Sequence, residues 1–158
     1  MTLLEVFQWF EYSPLLIEMR SSPWLFPVIA TFHLFGLTIV GGAVLVVDLR
    51  LLGLGLTQQS PAQLGDDTLP ILLAGLAIMF PTGIFLFMCF ATKYYYLTPF
   101  WVKLAALTLV LIYTFTVRPR VLRADLVIRS VVWSRLVATG SLSLWISVAL
   151  GGRLIGFP

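Results

Sequence analysis

The chain has 158 residues, of which 59% are hydrophobic and 11% charged, and its formal net charge at pH 7 is +3. Soluble domains carry about 25% charged residues, and a chain of this length buries only about 70% of its unfolded surface, so the mean hydropathy of +1.00 excludes a water-soluble globular domain. The single cysteine excludes an internal disulfide, and the sparse basic residues indicate membrane topology rather than nucleic-acid binding.

The first part of the chain, residues 2–20, predicts an amphipathic helix that lies in the membrane interface. Apolar residues recur at helical spacing, while Glu5, Gln8 and Glu11 take the other positions, which is typical of an interfacial helix. Trp9 is expected to anchor this helix among the lipid headgroups. The segment lacks the basic leading region and the cleavage site of a signal peptide, so we do not predict its removal.

Four longer apolar segments follow, and each is long enough to cross a bilayer. A hydrocarbon core of ~30 Å requires about 20 apolar residues in a helix. A polar loop from Thr57 to Asp67 separates the first two segments. The predicted fold is all-α, a single-domain four-helix transmembrane bundle with an N-terminal amphipathic interfacial helix. The spans are predicted at about residues 23–52, 68–92, 99–117 and 131–157.

The distribution of basic residues predicts the orientation of the bundle. Cytoplasmic loops carry the excess of lysine and arginine. The loop from Arg118 to Arg135 is therefore expected to face the cytoplasm of a bacterial inner membrane, with both termini in the periplasm. The cytoplasmic side then holds Arg50, Arg118, Arg120, Arg123, Arg129 and Arg135, and the periplasmic side holds Arg20, Lys93, Lys103 and Arg153.

His33, the only histidine of the chain, lies about ten residues into the first predicted span. At 1.5 Å per residue this is a depth of ~15 Å, where an ionisable side chain suggests function. Three interpretations stay open. The imidazole forms a hydrogen bond to another helix; it is the axial ligand of haem b or a chlorophyll-type pigment that approaches beside Gly36; or it takes part in proton or quinone chemistry.

A haem would require a second ligand from elsewhere, because b-type cytochromes usually hold iron between two histidines. The candidates are Met79, Met88, another copy of the chain or a partner subunit. A chlorophyll-type pigment requires only one axial ligand, so it is not excluded in this way.

Several other span residues predict packing rather than chemistry. Glycines of the first two spans are expected to permit close helix contacts: Gly36, Gly41 and Gly42 on the first, and Gly75 and Gly83 on the second. Pro81 is expected to kink the second helix. Asp48 and Arg50 mark the cytoplasmic end of the first span. Residues at i and i+2 do not face each other on a helix, so each should pair with another segment. The candidate partners of Asp48 are Arg118, Arg120 and Arg123.

A basic and aromatic group flanks the connection between the second and third spans. Lys93 and Lys103 are expected to reach anionic headgroups, and Tyr94 and Tyr95 are typical of the headgroup zone. The same group could alternatively receive a quinone head or a partner protein. No nucleophile–base pair, phosphate loop or paired-carboxylate site occurs in the sequence, so we do not predict an enzyme.

The run Trp24-Leu25-Phe26-Pro27, followed by His33, Gly36 and the stretch from Asp48 to Gly53, resembles a family of small uncharacterised bacterial integral membrane proteins. The resemblance implies a four-span protein with a domain of unknown function, and it implies no activity. Relatives carry an acidic residue three positions before the histidine, where this chain has Ala30. They also carry Phe-His at the end of the third span, where this chain has Val117-Arg118.

These observations predict a non-enzymatic accessory subunit of a larger bacterial membrane complex. Its expected partners are membrane lipids and other membrane subunits or copies of itself. One alternative is a b-type haem- or pigment-binding electron-transfer subunit with His33 as axial ligand. A second alternative is a small transporter or a quinone-site protein.

Overall fold

A computed structural model of the chain describes residues 2–55, 58–123 and 130–155. These residues form helices and no strand, so the predicted all-α class is confirmed. The helices are α1 (Leu3–Glu11), α2 (Pro14–Ser21), α3 (Leu25–Leu52), α4 (Pro61–Cys89), α5 (Ala91–Tyr95), α6 (Thr98–Ile112), a π-helical turn (Tyr113–Val117), α7 (Arg118–Leu122) and α8 (Val131–Ile155).

Four of these helical segments are long and apolar enough to cross a membrane, which confirms the four-span prediction. Only 22–33% of the residues in their most apolar stretches are buried within the protein. The remaining apolar side chains point outward, where hydrocarbon is the solvent that suits them. The segments are Leu25–Leu52, Pro61–Cys89, Thr98–Leu122 and Val131–Ile155.

The second span begins earlier and ends earlier than the sequence pattern indicated. Helix α4 starts at Pro61 within the predicted loop, because the Ser60 hydroxyl accepts the Gln63 N–H at 3.1 Å and proline suits the first helical turn. The helix ends at Cys89, since Phe90 takes a non-helical conformation. Three parts of these predictions lie outside the described residues: Thr57 of the predicted loop, residues 124–129 of the predicted cytoplasmic loop, which include Arg129, and residues 156–157 of the fourth predicted span.

The third span continues beyond its predicted end at Val117. The π-helical turn leads directly into α7, and Arg118 is a helical residue with only 5% of its surface exposed. The prediction that Arg118 opens a cytoplasmic loop is therefore wrong. The guanidinium lies inside the bundle because it has polar partners there: its Nη2 donates to the Val44 carbonyl at 2.8 Å.

The bundle is held together mainly by the packing of α3 against α4 and of α6 against α8, with α3 also contacting α8. Between α3 and α4 the backbones approach closely. A Cβ added at Gly36 would lie 3.0 Å from the Met79 nitrogen and 3.1 Å from the Gly75 oxygen. The shared core is apolar and includes Val40, Val44, Leu72, Leu76, Val110 and Val148.

Two other glycines of α3 face away from this interface. A Cβ added at Gly41 or Gly42 would meet no described atom within 4 Å. The close contacts expected at these two glycines therefore do not form within the described chain, because Gly36 and Gly75 occupy the side of α3 and α4 that meets. Helix α4 runs on through Pro81, whose side chain is exposed.

The two ends of the bundle have different neighbours. Helices α1 and α2 contact the end of α4, and α1 also contacts α5. At the opposite end, Arg123 Nη2 lies 3.2 Å from Asp66 Oδ1, so the end of the third span meets the start of α4. The N-terminal helices and α5 therefore share one side, and the α3–α4 connection shares the other side with α7.

The N-terminal segment forms two short helices rather than the single helix predicted over residues 2–20. Tyr12 and Ser13 leave the helix, and Pro14 starts α2 because it has no N–H to donate. Glu11 ties both helices to the bundle. Its Oε2 accepts the Thr92 N–H at 2.7 Å, and its Oε1 lies 3.1 Å from Arg20 Nη1.

Removal of the Glu11 carboxylate should loosen these helices. A hydrogen bond to a charged group contributes about 1.5–3 kcal/mol, so Glu11→Ala is expected to speed amide exchange in residues 3–21 by about 10-fold or more. Glu18→Ala is the matched control, because Glu18 is exposed on α2. Equal exchange in the two variants would show that Glu11 does not hold the segment.

Candidate functional site

His33 is fixed to α4 by one ring nitrogen. Its Nδ1 lies 3.0 Å from the Met79 carbonyl oxygen and 3.1 Å from the Thr82 hydroxyl oxygen. A carbonyl oxygen can only accept, so we assign the proton to Nδ1, which leaves Nε2 as an acceptor in the neutral ring. The predicted hydrogen bond from the imidazole to another helix is therefore present, and it sets the tautomer of the ring.

A glycine of α4 makes room for the imidazole. A Cβ added at Gly83 would lie 2.9 Å from His33 Cε1, so larger residues would displace the ring. Of the two roles predicted for Gly36, the close contact with a neighbouring helix is the one that the structure shows. The α4 backbone fills the space beside Gly36, which is buried and does not line the cavity next to His33. The expectation that Gly36 admits a macrocycle is therefore wrong.

A cavity of about 870 Å³ lies beside His33. Cavities of roughly 300–1,000 Å³ are the size that small-molecule sites use. Helices α1, α3, α4, α6 and α8 all contribute to the wall, which is mostly apolar. We call this space the His33 cavity. Its lining includes Phe7, His33, Leu37, Phe87, Phe100, Trp101, Lys103, Val148 and Arg153.

Aromatic rings form one wall of the His33 cavity. The Phe87 ring stacks on Phe100 with centroids 5.1 Å apart, and Phe7 of α1 meets Phe87 edge-on at 5.0 Å. Tyr94 extends the stack, at 5.6 Å from Phe100. Burial raises the pKa of the Tyr94 hydroxyl above its usual value, so the phenol stays neutral. These contacts place α1 over one end of the cavity.

Lys103 supplies a cation to the same cavity. The residue is half-buried on α6, and it forms no hydrogen bond or ion pair with any residue in the described ranges. Two glycines of α8 give it space, since a Cβ at Gly151 would lie 3.0 Å from Lys103 Cβ and one at Gly152 would lie 3.4 Å from Lys103 Nζ. Lys93, in contrast, is exposed on α5 and does not line the cavity.

The Nε2 atom of His33 is the accessible end of the ring. Within the described part of the chain, Nε2 makes no hydrogen bond. It is also not one of the fully enclosed polar atoms. His33 lines the cavity, so an unshared electron pair is available there. The cavity thus combines an acceptor nitrogen, an ammonium group that has no partner among the described residues, and aromatic walls.

A second polar group lies in the other half of the bundle. Asp48 is completely buried, and its Oδ1 lies 3.1 Å from Arg118 Nη2. Of the three arginines predicted as partners, Arg118 is therefore the one that pairs with Asp48. Arg50 reaches the following loop, where its Nε donates to the Gln59 carbonyl at 2.9 Å.

The residues predicted at the interface lie on the side of α1 and α5. Trp9 is 68% exposed and available to headgroups. Tyr95 is half-buried, and its carbonyl accepts the Trp101 indole N–H at 2.9 Å. Among the described residues, no group of three or more histidine, cysteine or acidic side chains could hold a metal ion.

Comparison with known proteins identifies a family. A family model described as "Family of unknown function (DUF6644)" matches residues 6–158. The chain belongs to this family. This match confirms the predicted resemblance to a family of uncharacterised proteins. Neither a curated protein nor a solved structure matches it.

The sequence pattern indicated some residues of the candidate site around His33 and missed others. It singled out His33 because an ionisable residue in a span is rare. It did not find Gly83 as the neighbour of His33, and it placed Lys103 at the headgroups. The sequence does contain one relevant signal, the glycine pair Gly151 and Gly152, which faces Lys103 in the structure. A glycine pair alone does not show which helix it meets.

Proposed function

We propose that this protein is a non-enzymatic membrane protein that binds an amphipathic small molecule, with an apolar body and an anionic group, in the His33 cavity. The observation that carries the proposal is the half-buried ammonium group of Lys103, which has no partner in the described chain and lines a mostly apolar cavity. A charge removed from water is expensive unless it is paired. An anionic group of the ligand would supply that pair.

The remaining walls suit the rest of such a molecule. Phe87, Phe100 and Trp101 present ring surfaces to an apolar body. His33 offers Nε2 as an acceptor for a hydroxyl group or as a ligand for a metal. Several lining residues, such as Leu34 and Ile84, are also exposed on the outer surface of the bundle. The ligand would therefore enter from the lipid rather than from water.

The accessory-subunit role is part of the proposal. Gly41 and Gly42 form a surface of α3 with no described neighbour within 4 Å of an added Cβ, and small residues of this kind let a further membrane helix approach closely. The proposed location is the bacterial inner membrane. The arginine-rich side would face the cytoplasm by the positive-inside rule, so the His33 cavity, α1 and α5 would lie towards the periplasm.

A charged fluorescent lipid tests the proposed pairing with Lys103. Wild-type protein in detergent should bind cis-parinaric acid more tightly than its uncharged methyl ester. A charge-assisted hydrogen bond contributes about 1.5–3 kcal/mol, so Lys103→Met should weaken binding of the acid by about 10–100-fold and leave the ester unchanged. Lys93→Met is the control and should bind like wild type. Equal binding of acid and ester by the wild type would contradict the proposal.

A second candidate ligand is a tetrapyrrole, haem b or a chlorophyll-type pigment, with His33 as its axial ligand. The observation that favours it is the hydrogen bond from His33 Nδ1 to the Met79 carbonyl, because ligating histidines usually donate their other N–H to such a group. Lys103 would pair with a carboxylate of the macrocycle. The protein's contribution would be to orient the imidazole and exclude water.

An absorption spectrum separates the two candidates. Protein purified from a bacterial membrane should show a Soret band if a tetrapyrrole is bound, and His33→Ala should lose the band. His33→Gln keeps a polar side chain and should also lose it. A spectrum without visible absorption, from protein that still binds cis-parinaric acid, would exclude the tetrapyrrole and leave the amphipathic anion as the ligand.

A further inference from the structure

The polar group around Asp48 carries an inference that is independent of the His33 cavity. Four polar residues on α3, the third span and α8 have at most 5% of their surface exposed: Asp48, Thr114, Arg118 and Ser141. Thr114 belongs to the π-helical turn. The Ser141 side chain of α8 lies beside the Asp48 carboxylate. We call these four residues the Asp48 cluster.

Many polar atoms in this cluster have no hydrogen-bond partner among the described residues. They include both carboxylate oxygens of Asp48, Nε of Arg118 and the two hydroxyl oxygens of Thr114 and Ser141. The Asp48–Arg118 contact at 3.1 Å pairs the two charges, but its angles are not those of an aligned hydrogen bond, so both carboxylate oxygens can accept further donors. Trp145, one turn beyond Ser141 on α8, adds an enclosed indole N–H without a partner.

Native proteins leave few buried polar atoms unpaired, since each costs about 1–3 kcal/mol. The chemical mixture in the Asp48 cluster restricts what could pair with these atoms. The carboxylate oxygens require donors, whereas Arg118 Nε and Trp145 Nε1 require an acceptor. A cation would be attracted by the Asp48 carboxylate but repelled by the Arg118 guanidinium. An anion would be attracted by Arg118 but repelled by Asp48.

Water meets both needs, because each molecule donates and accepts. We propose that the Asp48 cluster is a binding site for ordered water molecules, which bridge the Asp48–Arg118 pair to Ser141, Thr114 and Trp145. The π-helical turn fits this assignment, as such turns often occur at functional sites. No residue of the Asp48 cluster lines the His33 cavity.

The sign of a stability change tests the proposal. If the Ser141 hydroxyl is unpaired, Ser141→Ala removes an unsatisfied group and raises the melting temperature. If water bridges the hydroxyl to Asp48, the same change lowers the melting temperature by about 2–4 °C. Ser143→Ala is the control, because Ser143 is exposed on the same helix. A melting temperature for Ser141→Ala equal to or above that of Ser143→Ala overturns the proposal.

Radiolytic hydroxyl-radical labelling gives a second measurement on the unaltered protein, should Ser141→Ala fail to fold. Trp145 is 7% exposed and Trp9 is 68% exposed. Radicals formed from bound water should oxidise Trp145 as well as Trp9. An unmodified Trp145, at doses that fully oxidise Trp9, overturns the proposal.

Discussion

Replacement of Asp48 by alanine is expected to destabilise the bundle by about 3–5 kcal/mol, because it leaves the buried guanidinium of Arg118 without its counter-charge. Arg118→Ala should have an effect of similar size, since the carboxylate then loses its counter-charge. Arg118 also donates to the Val44 carbonyl at 2.8 Å, so the pair holds α3 against the third span. Reversible unfolding in mixed detergent micelles measures both changes.

Two further variants show whether charge pairing causes the effect. Asp48→Leu combined with Arg118→Met replaces both charges by apolar groups and should recover most of the lost stability. Asp66→Ala is the control, because its ion pair with Arg123 is 3.2 Å long but both side chains are more than 60% exposed, and it should cost about 0–1 kcal/mol. Equal losses for Asp48→Ala and Asp66→Ala would contradict this interpretation.

Gly36→Ala is expected to destabilise the protein by about 1–3 kcal/mol through overpacking between α3 and α4. The added methyl group would lie 3.0 Å from the Met79 nitrogen and 3.1 Å from the Gly75 oxygen. Both atoms belong to the α4 backbone, so a rotamer change cannot relieve the contact. The two helices would have to separate, and the hydrogen bond from His33 to Met79 would lengthen with them.

Gly42→Ala is the matched control on the same helix. A Cβ there meets no described atom within 4 Å, and alanine favours the helix by roughly 0.5–1 kcal/mol over glycine. The isolated protein should therefore be as stable as wild type or slightly more stable. The same variant should weaken copurification of a partner subunit if the surface around Gly41 and Gly42 is an interface. Equal stability losses in Gly36→Ala and Gly42→Ala would contradict the assigned packing.

The spans could be predicted because their cause is local. A run of about 20 apolar residues needs hydrocarbon around it wherever the chain places it. The ends of the helices were less predictable. Ser60 and Pro61 form a good helix start, but the polar residues that follow them resemble a loop in composition. The π-helical turn extends the third span past Val117 because Arg118 finds its partner on α3, which sequence spacing does not show.

The candidate site was predicted only in part, because it depends on contacts between helices. His33 was identifiable from its position in a span, and its hydrogen bond to a second helix was one of the predicted alternatives. The sequence does not show which glycines meet another helix, since Gly36 and Gly41 both lie in the same apolar span but on different sides of α3. The juxtaposition of Lys103 with His33 in one cavity required the folded arrangement of α3, α6 and α8.

Native mass spectrometry of the protein released from gentle detergent tests the central claim most directly. Wild-type protein purified from a bacterial membrane should carry one small-molecule adduct that dissociates as an anionic, largely apolar compound. Lys103→Met should lose the adduct, whereas Lys93→Met, on the exposed surface of α5, should keep it. Bare wild-type protein, or an adduct that Lys103→Met retains in full, would contradict the account of the His33 cavity as a site for an anionic amphipathic ligand.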